Sequence, residues 1–424
     1  MSLETIIPEM AAAVDWKLEG NFLLSTDLQQ KAKTVLETTP FPTTRSEAWK
    51  YTRVTKIRNG QFAIQPMQLA KNEHQIDATA VSLVFVNGHF APNLSSSDFP
   101  AGVKLVALSQ MNEQERLAIG NELPLEGQIF NAFNTAYATD GISIHIAAKV
   151  NVEQTIEITH ISTGINVLST VRNNIHCEAF SSAHIIQQFV SENAENCFAN
   201  VVSEISVGEN AHLIIDKLQT EDDSNFHIST EEVQQAVNSN FTINTITLNG
   251  SLVRNNLHIN VNGSNCETNL NGAYILKGSQ HVDNHTVVDH KVAHCVSNEL
   301  YKGVIDGKAT AVFNGKVFVR KDAQKINAFQ SNANVLLSDD ATIDSKPELE
   351  IYADDVKCSH GSTTGQLDEE AIFYLRARGI GEKAARQLMV GAFIGDVLEK
   401  IENQAVSAKI ETILADRFEW AIGS

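Results

Sequence analysis

Short alternating runs of apolar and polar residues dominate the middle of the chain. They are rich in β-branched side chains at Ile142 to Ala147, Thr155 to Ile161, His184 to Val190, Ala211 to Leu218, Phe241 to Leu248 and Leu252 to Val261. Turn formers such as Val207-Gly208-Glu209-Asn210, Asn249-Gly250 and Asn262-Gly263 separate them. Period-two patterning bounded by Gly and Asn predicts strands rather than helices. No proline falls between positions 125 and 346, and proline is excluded from sheet interiors, so the strands are expected to be paired on both sides. No helical pattern intervenes convincingly between them, which argues against a doubly wound α/β fold and leaves a stacked solenoid, a sandwich or a barrel. An echo between Ser-Ser-Ala-His-Ile at 181–185 and Glu-Asn-Ala-His-Leu at 209–213 points to one coil per repeat. The uneven spacing favours a parallel β-helix, although a large sandwich would show similar runs.

The two ends read differently. Residues 26–38 place Leu28, Ala32, Val35 and Leu36 on one helical face behind a polar cap, and Pro40 stops that helix. Near the other end Asp368 caps a helix through Ile372, Phe373 and Leu375 that Gly379 terminates, and further helices are expected at about Glu382 to Ala392 and Ala408 to Ala421. The expected organisation is a mainly helical region over 1–125, a β core over 126–362 and a helical region over 363–424.

Charge narrows the set of partners. With 32 basic and 51 acidic residues the net charge is -19, which repels phosphate backbones and anionic lipid, so neither nucleic acid nor membrane is an expected partner. The first residues lack a basic n-region, the apolar stretch at Ala11 to Val14 is short, and no run reaches membrane-spanning length, so a cytoplasmic location is expected. Five dispersed cysteines, Cys177, Cys197, Cys266, Cys295 and Cys358, without a Cys-x-x-Cys pair, encode neither a disulfide framework nor a zinc ribbon and are expected as reduced thiols.

Four stretches could carry chemistry. His281, Asp283, His285, Asp289, His290, His294 and Cys295 crowd one segment. Its valines favour strand, which turns His290 and His294 away from the face shared by His281, Asp283 and His285, so a hydrogen-bonded polar ladder is favoured over a metal site. Cys358 and His360, if extended, share a face roughly 7 Å apart along the strand. A thiolate beside an imidazole suits iron or a cluster edge, but two ligands need more from elsewhere in the chain or from a partner. Leu375 to Leu388, with Arg376, Arg378, Lys383 and Arg386, resembles the helix-hairpin-helix turn of DNA-binding proteins and supplies an alternative function as a nucleic-acid-binding protein. Gly303 to Ala309 approaches a P-loop but is one residue short and lacks the magnesium-binding hydroxyl, so the chain is not expected to hydrolyse ATP or to be an enzyme.

Longer stretches resemble the SufB/SufD family. They are HTVVDHKVAHCVSNELYKG from His285 to Gly303, VFNGKVFV from Val312 to Val319, and KPELEIYADDVKCSHGSTTGQLDEEAIFYLRARGI from Lys346 to Ile380; RSEAWKYT from Arg45 to Thr52 looks like the SufD branch. The resemblance implies a right-handed parallel β-helix core between α-helical N-terminal and C-terminal regions, and a scaffold role in the SUF iron-sulfur cluster assembly complex. It implies a SufB-like paralogue and a SufC-like ABC ATPase as partners, with the CSHG segment at the interface between paralogues. There His360 takes part in building a nascent cluster, with Cys358 as the accompanying thiol and His360 as an iron ligand. The cluster or iron is transient and shared with the partner, and none is expected in the isolated chain. The ATPase-docking role maps onto the stretch from Asp368 to about Ile401, including Ile372, Phe373, Leu375 and Arg376, and truncation after Gly365 is expected to leave the core folded. SufB relatives accept sulfur on a core cysteine, and no equivalent is identified among Cys177, Cys197, Cys266 and Cys295. The edge strand near 347–357 is expected to pair in a homodimer when the chain is alone.

Overall fold

The computed structural model describes residue 16 and residues 18–418. The expectations for residues 1–15 and for 419–421 of the last helix lie outside the described residues. Among the described residues, nineteen strands form two sheets. In chain order they are β1 (Val81–Val86), β2 (His89–Phe90), β3 (Val103–Ala107), β4 (Ile142–Ile146), β5 (Ile156–Ile165), β6 (Leu168–Cys177), β7 (Ser182–Glu195), β8 (Phe198–Val207), β9 (His212–Gln219) and β10 (Phe226–Gln235). They continue as β11 (Asn240–Thr247), β12 (Leu252–Val261), β13 (Glu267–Leu276), β14 (His281–His290), β15 (Val296–Ile305), β16 (Thr310–Val319), β17 (Asn327–Leu336), β18 (Thr342–Ile351) and β19 (Lys357–Gly365). One sheet runs β19-β17-β15-β13-β11-β9-β7-β5-β1-β2 and the other β18-β16-β14-β12-β10-β8-β6-β4-β3. From β4 to β17 each strand pairs in parallel with the strand two ahead, which makes a parallel β-helix of about 8 turns.

Each coil closes through turns whose chemistry repeats. Asn210, Asn238 and Asn265 sit one coil apart with φ of 55°, 57° and 58°, the left-handed region that Asn tolerates best after Gly. Their amides stack, Asn238 donating to Asn210 and Asn265 to Asn238, each at 3.1 Å. His294 (φ 67°) and Lys325 (φ 61°) take the same place in the next two coils. The sequence echo at 181–185 and 209–213 marks real neighbouring coils but in the wrong register, because Ser182 rather than His184 lies beside His212. The two-residue offset keeps the inward and outward faces matched, which is why the pattern misled.

The interior between the sheets has an apolar zone and a polar one. In the first, Ile156, Ile185, Ile215, Ile243 and Leu270 stack along one sheet and Ile259, Val288 and Val317 along the other. In the second, buried side chains reach across from sheet to sheet: Lys217 donates to Glu231 at 2.7 Å and Thr286 to Glu299 at 2.5 Å, while Gln219 and Asn255 exchange hydrogen bonds at 3.1 Å. Every such group needs a partner in this setting, since an unpaired buried polar group costs about 1–3 kcal/mol.

Helices cover the outer faces. The predicted N-terminal helix is present as Thr26–Thr38 with Ser25 as its cap. With Ile129–Tyr137 it lays Ala32, Leu36, Phe130 and Phe133, together with Trp16 and Phe62, over Leu168, Phe198, Phe226 and Leu252 of the even-numbered strands. At the other end Glu369–Ala377, Glu382–Leu398 and Gln404–Phe418 pack Ile372, Val390, Ile394, Ile410 and Leu414 on Ile186, Leu218, Ile246, Ile275 and Val304 of the odd-numbered strands. This coverage explains strands buried on both faces.

Two expectations change. The sheets begin at Val81 rather than at 126, because β1 and β3 lie inside the region read as mainly helical and extend the solenoid. Truncation after Gly365 would uncover the apolar outer face of the odd-numbered sheet, so the C-terminal helices are part of the core packing rather than a detachable module.

Candidate functional site

β19 is the last strand of its sheet and pairs only with β17, among the described residues. In register, Cys358 lies beside Ala328, His360 beside Gln330 and Ser362 beside Asn332. All three neighbours point inward: Ala328 is fully buried in the apolar zone, and Gln330 and Asn332 are buried in the polar zone. Cys358 and His360 therefore share the inward-facing row. Cys358 is half-buried against the apolar core, and that burial pushes its thiol above the ordinary range. His360 is exposed, since no further coil covers the end of the solenoid. Ser345 Oγ lies 2.8 Å from Ser362 Oγ and donates to Asn332 Oδ1 at 2.8 Å, which brings the polar zone up to β19.

The residues read as a docking surface divide. Asp368 caps its helix, accepting from the backbone N–H of Glu370 at 2.9 Å and of Ala371 at 3.2 Å. Ile372 is 2% exposed and Leu375 is partly buried, both inside the helical core, so they hold the helix in place. Phe373 is 71% exposed and, with Tyr374 and Leu388, presents an apolar surface to solvent. Arg376 pairs with Glu382 at 3.3 Å. Arg386 pairs with Glu369 at 2.9 Å, and Arg378 donates to the Tyr374 hydroxyl at 2.7 Å. Arg376 and Arg386 are each paired with a carboxylate, which lowers the net positive charge of the surface that the helix-hairpin-helix reading requires.

The His281–Cys295 segment is dispersed rather than gathered. His281 lies 2.9 Å from the Thr52 hydroxyl, and that hydroxyl donates to Asp283 at 2.5 Å. Asp283 also accepts from Arg254 at 2.6 Å and lies 3.1 Å from His285; the Arg254 and His285 charges hold its carboxyl low despite burial. His290 is buried 3.0 Å from Ser297 Oγ and burial lowers it to about 4, while His294 fills a turn position. Arg254 stacks on Trp49 at 3.8 Å, and Lys346 donates to Glu47 at 2.7 Å. The Arg45–Thr52 motif thus packs on Arg254, His281 and Asp283 and, through Glu47, meets Lys346 at the start of the Lys346–Ile380 motif, a link invisible in the sequence. Gly303 to Ala309 is the end of β15 and a coil turn, with Gly307 at φ 67°.

Two groupings escaped the sequence reading. Cys266 and Cys295 lie in adjacent coils, and both thiols donate to the Gly263 carbonyl, Cys266 at 3.1 Å and Cys295 at 3.3 Å. His145, His176 and Glu178 meet on the outer face of the even-numbered sheet. The one signal that could have found both pairs is spacing by one coil length. All of Cys177, Cys197, Cys266 and Cys295 are buried and free, and burial pushes the Cys177 thiol up to about 12.

A parallel β-helix sheathed in helices, with a thiol and an imidazole on its last strand and unpaired strand edges at that end, defines a solenoid protein. Comparison with known proteins identifies the lineage. Residues 160–393 match the SUF system FeS cluster assembly SufBD core domain, and residues 21–158 match the SufBD protein N-terminal region. The chain is 31% identical over 408 residues to an iron-sulfur cluster assembly SufBD family protein of Synechocystis sp., covering 92% of this chain and 90% of that protein. It is 29% identical over 402 residues to the iron-sulfur cluster assembly protein SufD of Escherichia coli, covering 93% of each, and 29% identical over 429 residues to the chloroplastic protein ABCI7 of Arabidopsis thaliana, covering 95% and 89%. The chain belongs to the SufB/SufD family of the iron-sulfur cluster assembly system. No helix among the described residues is long and apolar enough to cross a membrane.

Proposed function

We propose that this chain is a cytoplasmic, non-catalytic scaffold subunit that builds nascent iron-sulfur clusters together with a SufB-like paralogue and a SufC-like ABC ATPase. The observation that carries the reading is His360, exposed in the inward-facing row of a final strand with no strand beyond it. A cluster is cargo here, and it needs ligands on two sides, an entry route for iron and sulfide, and a way out. Cys358 and His360 supply one side, and two ligands are too few to retain the cargo without a partner's contribution. The unpaired backbone of β18 and β19 offers the partner a row of donors and acceptors, and in isolation the same edges pair two copies of this chain. The ATPase docks on the exposed Phe373 and Tyr374 of the Glu369–Ala377 helix, whose orientation Asp368, Ile372 and Leu375 maintain.

His360→Ala, expressed with its partners in cells, is expected to leave folding and complex formation intact, because an exposed imidazole contributes little to either, while iron-sulfur enzymes lose their clusters. Normal cluster maturation in that variant would overturn the reading. Phe373→Asp is expected to reduce co-purification of the ATPase without lowering the melting temperature.

A further inference from the structure

We propose that His145, His176 and Glu178 form a binding site for a divalent first-row transition metal at the capped end of the solenoid, away from the last strand. The two histidines lie in register on β4 and β6, one coil apart, and their rings stack at 5.5 Å with an interplanar angle of 12°. Glu178 follows β6 directly. One of its carboxylate oxygens accepts from the backbone N–H of Ala148 at 2.9 Å, and the other lies 2.9 Å from His145 Nε2. The carboxylate is thereby held in place, and the nitrogen and oxygen ligand atoms of the three side chains all lie within 4.8 Å of one another.

Metal ligation requires only a modest contraction. Tetrahedral bonds of ~2.0–2.1 Å set neighbouring ligand atoms about 3.3 Å apart, which small side-chain rotations of half-exposed residues can reach. His145 is 41% exposed and Glu178 40% exposed, so neither is locked by packing. Two imidazoles and one carboxylate suit Zn2+ or Fe2+ rather than Mg2+ or Ca2+, and three protein ligands leave positions open for water or a small ligand. Room for both exists, because the histidines line a cleft of about 660 Å3. Glu122 and Glu232 add acidic character to the same cleft, where Glu115 is paired with Lys104 and Glu204 with the buried Arg172.

The test uses the full chain carrying Cys358→Ser and His360→Ala, stripped of metal with EDTA and then titrated with Co2+ and Zn2+. One equivalent is expected to bind, with Co2+ showing d–d absorption bands that Zn2+ abolishes by competition. His145→Ala and Glu178→Gln are each expected to weaken binding roughly tenfold or more at unchanged melting temperature. Anomalous diffraction at the zinc edge is expected to place the ion between the three side chains, a readout that does not depend on either variant folding. Affinity unchanged in both variants, an ion found elsewhere, or weak adventitious binding only would overturn the proposal. Because the last-strand ligands are absent throughout, the outcome is independent of the cluster-building role assigned to His360.

Discussion

The two ends of the solenoid are finished in opposite ways. At the first coils both sheets close with antiparallel strands, β2 beside β1 and β3 beside β4, and the N-terminal helices seal the outer face with Trp16, Phe62, Phe130 and Phe198 in ring-to-ring contact. At the last coils β18 is only partly buried along its length and β19 is exposed at nearly every position. The C-terminal helices could have capped that end, but they fold back along the odd-numbered sheet until Asn403 reaches Asp77 and Thr155 near the first coils. The chain thus spends apolar surface sealing one end and leaves the other with unpaired backbone. An edge left open offers unpaired donors and acceptors to any further strand, and this is the edge on which the proposed function rests.

Truncating one aromatic ring under the N-terminal helices and one near the open end separates the two regions most directly. Phe198→Ala removes a ring that is 1% exposed and touches three others, and it is expected to lower the unfolding free energy by about 3–5 kcal/mol in denaturant titrations. Phe329→Ala, at the open end, removes a ring that is 46% exposed and is expected to cost under about 1 kcal/mol. Equal losses would mean that the last coils are as tightly packed as the first.

A smaller effect sharpens the picture of the polar zone that leads to the open end. Glu299 accepts from Thr286 and from Gln330, and burial raises its carboxyl from 4.5 to about 7. The folded chain therefore binds a proton that the unfolded chain releases near 4.5. The resulting stabilisation is fully present below 4.5 and is lost as pH rises through 7, with a span on the order of 2–3 kcal/mol. Glu299→Gln is expected to abolish that part of the pH dependence, making the variant relatively more stable at pH 8 than at pH 5. His290, held neutral with its pKa at about 4, acts in the other direction: its contribution is present above 6.5 and lost as pH falls toward 4. Parallel stability curves for wild type and Glu299→Gln would refute the first assignment.

The smallest effect concerns the turn row. Asn210, Asn238 and Asn265 suit their left-handed backbone, whereas His294 and Lys325 continue the row toward the open end with residues less suited to it. His294→Asn is expected to raise stability by about 0.5 kcal/mol, read as a shift in the denaturant midpoint at unchanged slope. A marked loss instead would show that the His294 ring does more than fill a turn.

Local pattern determined much of this architecture. Alternation of apolar and polar residues marked strands such as Leu252–Val261 to the residue, and the Asp368 cap together with Gly379 bounded a helix correctly, because these signals act over a few neighbouring residues. The family motifs and the pairing of Cys358 with His360 on one face were legible for the same reason. Register between coils was not, since a two-residue shift preserves every face and only contacts about thirty residues away discriminate: the echo at 181–185 and 209–213 aligns His184 with His212, but Ser182 lies beside His212. The burial of Ile372 beside the exposure of Phe373, the contact of Trp49 and Thr52 with Arg254 and Asp283, and the meeting of His145, His176 and Glu178 were decided by tertiary structure alone. Each depends on which coil stops, which helix folds back and which residues one turn of the solenoid stacks together, and none of these is encoded within a single window of sequence.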